Sequence, residues 1–295
     1  MLGSDGLAVL GAGASALPAG PAAARAALVS FLRDGHADQY NTHRDLLALD
    51  ATSRLSAYLR FGMCTDAQIG RALGLPGELG HGRAAFWRQI AWREFSHHHL
   101  ARHPEVARQA LRAPFREIAW SNDAAALATW RAGQTGYPLV DAGMRQLAGE
   151  GWMHNRARMV TASFLVKDLL VDWRRGETVF MQGLVDGDPA NNNGGWQWTA
   201  GTGTDAAPYH RVLNPVLQSK RFDPEGTYIR RWVPELRAVP KRFVHEPWRM
   251  DDNTQRAARC IIGADYPAPM VDHRVQREIA LARYRAAEPR RTGGT

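Results

Sequence analysis

The sequence predicts an all-α fold. Three observations carry that expectation: apolar residues recur at helical spacing through most of the 295-residue chain, alternating β patterns are scarce, and several segments begin with helix-opening residues. A hydrophobic fraction of 45% with 22% charged residues belongs to a chain that buries a core. At this length one core is near its upper limit, so one large domain is expected over 25–285. An Ala/Gly-rich leader of flexible linker character precedes it at 1–24, and a disordered tail follows at 286–295.

Each element has a local reason. Pro21 suits the first turn of a helix over 22–37, because it lacks an N–H that the first turn leaves unpaired anyway. Thr65 can cap the free N–H groups of a helix over 65–74. Helical patterning continues over 81–102 and 122–132, then over 138–150 behind Pro138, and over 154–173 and 175–185. The stretch 186–208, dense in Gly and Asn, is expected to be a long loop, and 208–249, punctuated by Pro, to be loosely structured. In the leader, Gly11-Ala12-Gly13-Ala14-Ser15 is an incomplete dinucleotide or nucleophile-turn motif with no βαβ unit behind it, so linker is the better reading.

Composition narrows the partner. The net charge is +8 with a pI near 10.0, which points to a polyanion. Only Lys167, Lys220 and Lys241 are lysines, so arginine, the better bidentate phosphate ligand, supplies nearly all the positive charge. The ten tryptophans are more telling, since indoles stack on flat ligands and bases. The uncharged stretch Gly6 to Ala24 is poor in large apolar residues and has no basic start, so neither a membrane span nor a secretory signal is expected. Cys64 and Cys260 have no CxxC spacing, which fits a reducing, cytoplasmic setting without a zinc site.

Two helix faces could make a site. Gln89, Trp92, Arg93 and Ser96 share one face at i, i+3, i+4 and i+7, and Trp152, Asn155, Arg156 and Met159 repeat the spacing and the chemistry. Facing each other, they could hold a planar, hydrogen-bonding ligand such as a nucleobase or a flavin; taken singly, either stripe is also what a core-facing helix shows. The run Asp186-Gly187-Asp188-Pro189-Ala190-Asn191-Asn192-Asn193-Gly194-Gly195-Trp196-Gln197-Trp198 adds close backbone approach, carboxylates and amides. Its spacing is not that of a calcium loop, and the adjacent His97-His98-His99 cannot chelate together on a helix, so no metal is expected. Thr52-Ser53-Arg54-Leu55-Ser56 offers hydroxyls and a guanidinium to a phosphate, or a polar helix start.

Taken together these segments resemble the photolyase and cryptochrome family, specifically the FAD-binding domain of the bacterial class I enzymes that repair cyclobutane pyrimidine dimers. The resemblance rests on Thr52 to Ser56, Trp92-Arg93-Glu94-Phe95, Thr135-Gly136-Tyr137-Pro138, Gly151-Trp152-Met153-His154-Asn155-Arg156, the Asp186 to Trp198 run and Gly201-Thr202-Gly203-Thr204-Asp205, and it extends from about Tyr40 to His273. The sequence Trp-Met-His-Asn-Arg at 152–156 sides with dimer repair rather than with the (6-4) class, which usually carries paired histidines there.

The resemblance implies a helical domain holding a U-shaped FAD. Tyr40 and Thr52, Ser53, Arg54, Leu55 and Ser56 would hold its pyrophosphate and ribityl region, with Phe86 nearby; Arg158 would pair with Asp186 beside Gly187, Asp188 would meet the polar flavin edge, and Asn192 would face N5. Photolyases take their target out of the base stack. By the same resemblance Trp92 and Trp198 would sandwich the flipped dimer, Gln89, Asn155, Arg156 and Met159 would line its pocket, and Arg44, Arg93 and Gln218 would contact damaged DNA. Trp196, Trp173 and Trp120 would relay electrons from surface to flavin, with Asn192 and Gln89 the other catalytic positions. Gln89 stands where the dimer-repairing class usually has Glu. The α/β domain that precedes this one in the family is missing from the sequence, so its antenna pigment, folate or deazaflavin, is not expected. The implied protein is a monomer that uses light to split pyrimidine dimers; a cryptochrome-like light sensor and a cofactor-free DNA-binding remnant are the alternatives.

Overall fold

The computed structural model describes residues 17–204 and 208–288. Gly11 to Ser15, most of the leader, and the last seven residues lie outside the described residues. No strand forms among those described; the one β interaction is an isolated bridge between Ile262 and Tyr266. The helices are α1 (Pro21–Arg33), α2 (Tyr40–His43), α3 (Ser56–Arg60), α4 (Asp66–Leu73), α5 (His81–Arg102), α6 (Ala124–Arg131), α7 (Pro138–Glu150), α8 (Asn155–Ser163), α9 (Trp173–Gly183), α10 (Pro189–Ala200), α11 (Pro215–Phe222), α12 (Thr227–Trp232), α13 (Asp252–Ala258) and α14 (His273–Ala287). None is long and apolar enough to cross a membrane.

Local chemistry sets most of these boundaries. Thr65 caps α4 by accepting from the Gln68 N–H while the Gln68 side chain accepts from the Thr65 N–H, a reciprocal pair that satisfies two free donors. Pro138 sits at the start of α7, and Gly151 ends it in the left-handed conformation (φ 63). Helix α7 is buried along most of its length and packs against α8, α11 and α12, in a core that includes Trp130, Val140, Met144, Phe164, Trp173 and Trp196. A second core joins α1, α3, α4 and the first half of α5 through Phe31, Leu55, Ile69, Leu73, Phe86 and Ile90. Helix α5 also packs against α10, whose Trp196 and Ala200 belong to the first core. Its close approach depends on Gly82, where a Cβ would fall 1.9 Å from the Asp38 carbonyl oxygen.

The structure departs from the expectations in five places. Helix α1 stops at Arg33, short of residue 37, where Gly35 turns the chain at φ 74. The single helix expected over 154–173 is broken: α8 ends at Ser163, a π-helical turn covers Phe164–Asp168, and Leu170 at φ 55 ends the run. The expected loop 186–208 contains α10. Asn and Gly are poor helix formers, but the Asp188 carboxylate caps the Asn191 N–H, Pro189 occupies the first turn, and Gly201 at φ 78 closes the end. The stretch 208–249 is also more ordered than expected, holding α11, α12 and three short 3-10 turns, two of them opened by Pro234 and Pro247. The domain's last helix, α14, runs through Ala287, just into the expected tail.

Candidate functional site

A cavity of about 440 Å³ opens between α5 and α10, with α8 and the segment 184–188 as its inner walls. That size is within the roughly 300–1,000 Å³ of small-molecule and cofactor sites. Both stripes read from the sequence reach it. Gln89 and Trp92 come from α5, Asn155 and Met159 from α8, and Trp198 from α10, while Arg158, Asp186, Gly187, Asp188 and Asn192 line the same space. Trp92 is 48% exposed at the mouth.

The inner end is strongly polar. Arg158 Nη2 donates to both oxygens of the buried Asp186, at 2.8 and 3.1 Å, and its Nε donates to the Met153 carbonyl at 2.8 Å. Asp188 accepts from the Asn191 backbone N–H and side-chain amide at 2.9 and 3.0 Å, and His97 Nε2 lies 3.0 Å from its other oxygen. Burial alone would raise the Asp188 carboxyl; the Asn191 bonds and the nearby His97 and Arg93 outweigh it and hold the group below its ordinary value. Asn192 donates to the Glu177 carbonyl at 3.0 Å, and Asn193 donates to the Glu177 carboxylate at 3.1 Å. Burial pushes the Glu177 carboxyl up to about 7, against the opposing Asn193 bond.

Two of the three tryptophans singled out in the sequence are buried and one is partly open. Trp196 and Trp173 are 2% exposed and Trp120 is half-buried. Trp196 lines the cavity, and its Nε1 has no hydrogen-bond partner. Helix α9, which begins at Trp173, meets Trp196 through Gly176, where a Cβ would lie 2.2 Å from the indole. Ser121, next to Trp120, binds the carbonyls of Leu169 and Leu170 just ahead of Trp173. The nearest rings to Trp196 are Phe180 at 4.9 Å and Trp130 at 6.2 Å, neither of which the sequence reading singled out.

Other expected residues lie outside the cavity. Thr52 and Arg54 face a separate pocket of about 90 Å³. Arg54, at φ 50, stacks on Trp152 at 4.4 Å and pairs with Asp50. Ser53 accepts from the Leu55 N–H, Leu55 is buried, and Ser56 begins α3. Tyr40 packs edge-on against the buried Phe86 at 5.2 Å. This segment is nonetheless tied to the cavity wall: Arg60 donates to the Gly187 carbonyl at 2.8 Å and Arg93 to the Leu59 carbonyl at 3.4 Å. Arg93 also pairs with Glu94 at 2.6 Å, and Arg156 pairs with Asp45 at 2.8 Å above the Phe222 ring, so both guanidiniums already hold a carboxylate. Arg44 lies over Tyr40, and Gln218 is half-buried on α11.

Residues 86–286 match the family described as the FAD binding domain of DNA photolyase. The chain belongs to this photolyase family. It is 48% identical over 272 residues to the deoxyribodipyrimidine photo-lyase of Escherichia coli, covering 90% of this chain and 56% of that protein. The crystal structure of a class III photolyase from Agrobacterium tumefaciens superposes with a TM-score of 0.87 at 43% identity, over 91% of this chain and 56% of that one. A cryptochrome from Synechocystis superposes at 0.79 with 33% identity, over 90% of this chain and 56% of that one. The chain thus spans about half the length of the relatives it matches.

The cavity of this photolyase domain has the donor set that FAD calls for. A buried ion pair, a carboxylate held ionised and side-chain amides suit the polar rim of a flavin ring. Glu177 and His97 were missed by sequence reasoning because what makes them notable is a partner on another helix.

Proposed function

We propose that the chain is the catalytic domain of a light-driven repair enzyme that splits cyclobutane pyrimidine dimers in DNA. One observation carries this reading: the side chains suited to a flavin and those suited to a flipped dimer line one continuous cavity. When bound, fully reduced FAD supplies the chemistry by donating an electron to the dimer on excitation and taking it back after the ring opens.

The residues of the chain have three tasks around that transfer. Arg158 with Asp186, Asp188 and Asn192 hold and orient the flavin ring, while Tyr40 and the Thr52–Ser56 segment, fastened through Arg60 to Gly187, take its phosphate end, with Phe86 beside Tyr40. Trp92 and Trp198, on opposite walls, clasp the dimer, and Gln89, Asn155 and Met159 offer polar and soft contacts to its edges. Stacking worth roughly 1–3 kcal/mol per base offsets an unstacking cost of a few kcal/mol that a damaged site has already reduced. Arg44, Arg93, Arg156 and Gln218 form the surrounding DNA surface. Trp120 at the half-buried end, with Trp173 and Trp196 fully buried, pass an electron inward when the flavin must be reduced.

We take the repairing species to be one copy of the chain, and the electron transfer requires no second pigment. The test is direct: purify the chain, record its flavin spectrum, and illuminate the reduced protein with a thymine-dimer oligonucleotide under blue light. Dimer reversal supports repair. Bound flavin without reversal would favour a light sensor, and no bound flavin would overturn both.

A further inference from the structure

A row of rings continues along α5 beyond the dimer slot. Trp92 and Phe95 meet edge to face at 5.4 Å, Phe95 and His99 lie nearly parallel at 6.0 Å, and His103 follows at 5.0 Å from His99. Core packing does not account for the row, because Phe95 is 43% exposed and next to an equally open Trp92. From Trp92 to His99 the helix rises roughly 10 Å, enough for more than one stacked base. Phe95 and His99 line the same cavity as Trp92, and across from them stand Trp198, Gly203 and Thr204. The Thr204 hydroxyl lies 3.1 Å from His99 Nε2.

We propose that the rim formed by Phe95, His99 and Thr204 is a second nucleobase site, which takes an unpaired base flanking the dimer on the same DNA strand. This rests on the dimer slot between Trp92 and Trp198. Three features favour a base as occupant. The site is continuous with that slot, so the next nucleotide of the strand leaves the slot beside it. Its recognition surface consists of ring faces with one hydroxyl–imidazole pair, which suits any base and selects none. The rim residues Phe95 and His99 lie within the stretch from Arg83 to Arg116, which carries seven arginines against two glutamates, so a polyanionic strand is attracted to this part of the chain. Burial lowers the His99 imidazole below its ordinary value, which keeps it an uncharged stacking ring at neutral pH.

The test separates the base from its phosphate. Affinity of the FAD-loaded, reduced protein is measured in the dark for two single-stranded oligonucleotides that differ only in having normal or abasic residues beside the dimer. The wild-type protein is expected to bind the abasic-flanked strand about tenfold more weakly, the low end of what stacking one base supplies. Phe95→Ala and His99→Ala are expected to lose this tenfold difference, while Phe95→Tyr and His99→Phe keep it; retained flavin absorbance shows that each variant is folded. Wild-type protein indifferent to the flanking base, or alanine variants with the full tenfold difference, would overturn the second site and leave the dimer slot standing. No preference for dimer-containing over undamaged DNA would overturn the slot itself, and the rim site with it.

Discussion

Asn193 on α10 donates to the carboxylate of Glu177 on α9 at 3.1 Å, and the neighbouring Asn192 donates to the carbonyl of the same glutamate. Burial gives this carboxyl a folded-state value of about 7 against an ordinary 4.5. The folded protein therefore holds the proton more tightly than the unfolded chain. Its contribution to stability is complete below pH 4.5 and is lost as the pH rises through 7. Glu177→Gln, which keeps the shape and the hydrogen-bonding amide, is expected to flatten the fall in Tm between pH 4.5 and 7 in thermal unfolding; an unchanged slope would count against the buried acid.

The contact between α9 and α10 has no room for a methyl group at Gly176, since a Cβ there would sit 2.2 Å from the Trp196 ring and 2.5 Å from Leu165. Overpacking of this kind costs roughly 1–3 kcal/mol. Gly176→Ala is expected to lower the denaturant midpoint accordingly, and to weaken flavin retention because Trp196 forms part of the cavity wall.

Asp186 is nearly inaccessible, with Arg158 on both its oxygens. Hydrogen bonds to charged groups contribute about 1.5–3 kcal/mol each. Asp186→Asn is expected to reduce FAD affinity by tenfold or more in a dialysis titration, with the helical circular dichroism spectrum preserved.

Trp196→Phe is expected to block photoreduction of oxidised flavin and to spare dimer reversal by chemically reduced protein, because phenylalanine keeps an aromatic ring in the cavity wall but is far harder to oxidise than an indole. Loss of both activities in transient absorption and repair assays would contradict the assigned relay.

Much of the fold can be read in the sequence where local chemistry decides it. Pro138 and Gly151 bracket α7 at its observed ends, and the long apolar periodicity of α5 places His81 and Arg102 correctly. Helix α10 is misread because Asn191, Asn192, Asn193, Gly194 and Gly195 all favour loops; the Asp188 cap and packing against α5 and α9 override that preference. The cavity is legible in part: Trp92 and Asn155 through their helical spacing with Gln89 and Met159, and Arg158 and Asp188 through what the resemblance to the photolyase family implies. Glu177 is not legible, since its role depends on amides 15 and 16 residues away. Nor is the Phe180–Trp130–Trp196 cluster, which three separate helices assemble.

In the proposed function one cavity holds flavin and dimer side by side. The excited-state lifetime of the reduced, FAD-loaded protein measures this most directly, with and without a saturating thymine-dimer oligonucleotide. Contact between the two predicts a shorter lifetime with the dimer strand and no change with the undamaged one, and Trp92→Ala should abolish the shortening at the same oligonucleotide concentration. An unchanged lifetime with dimer DNA shown to be bound would contradict the shared cavity.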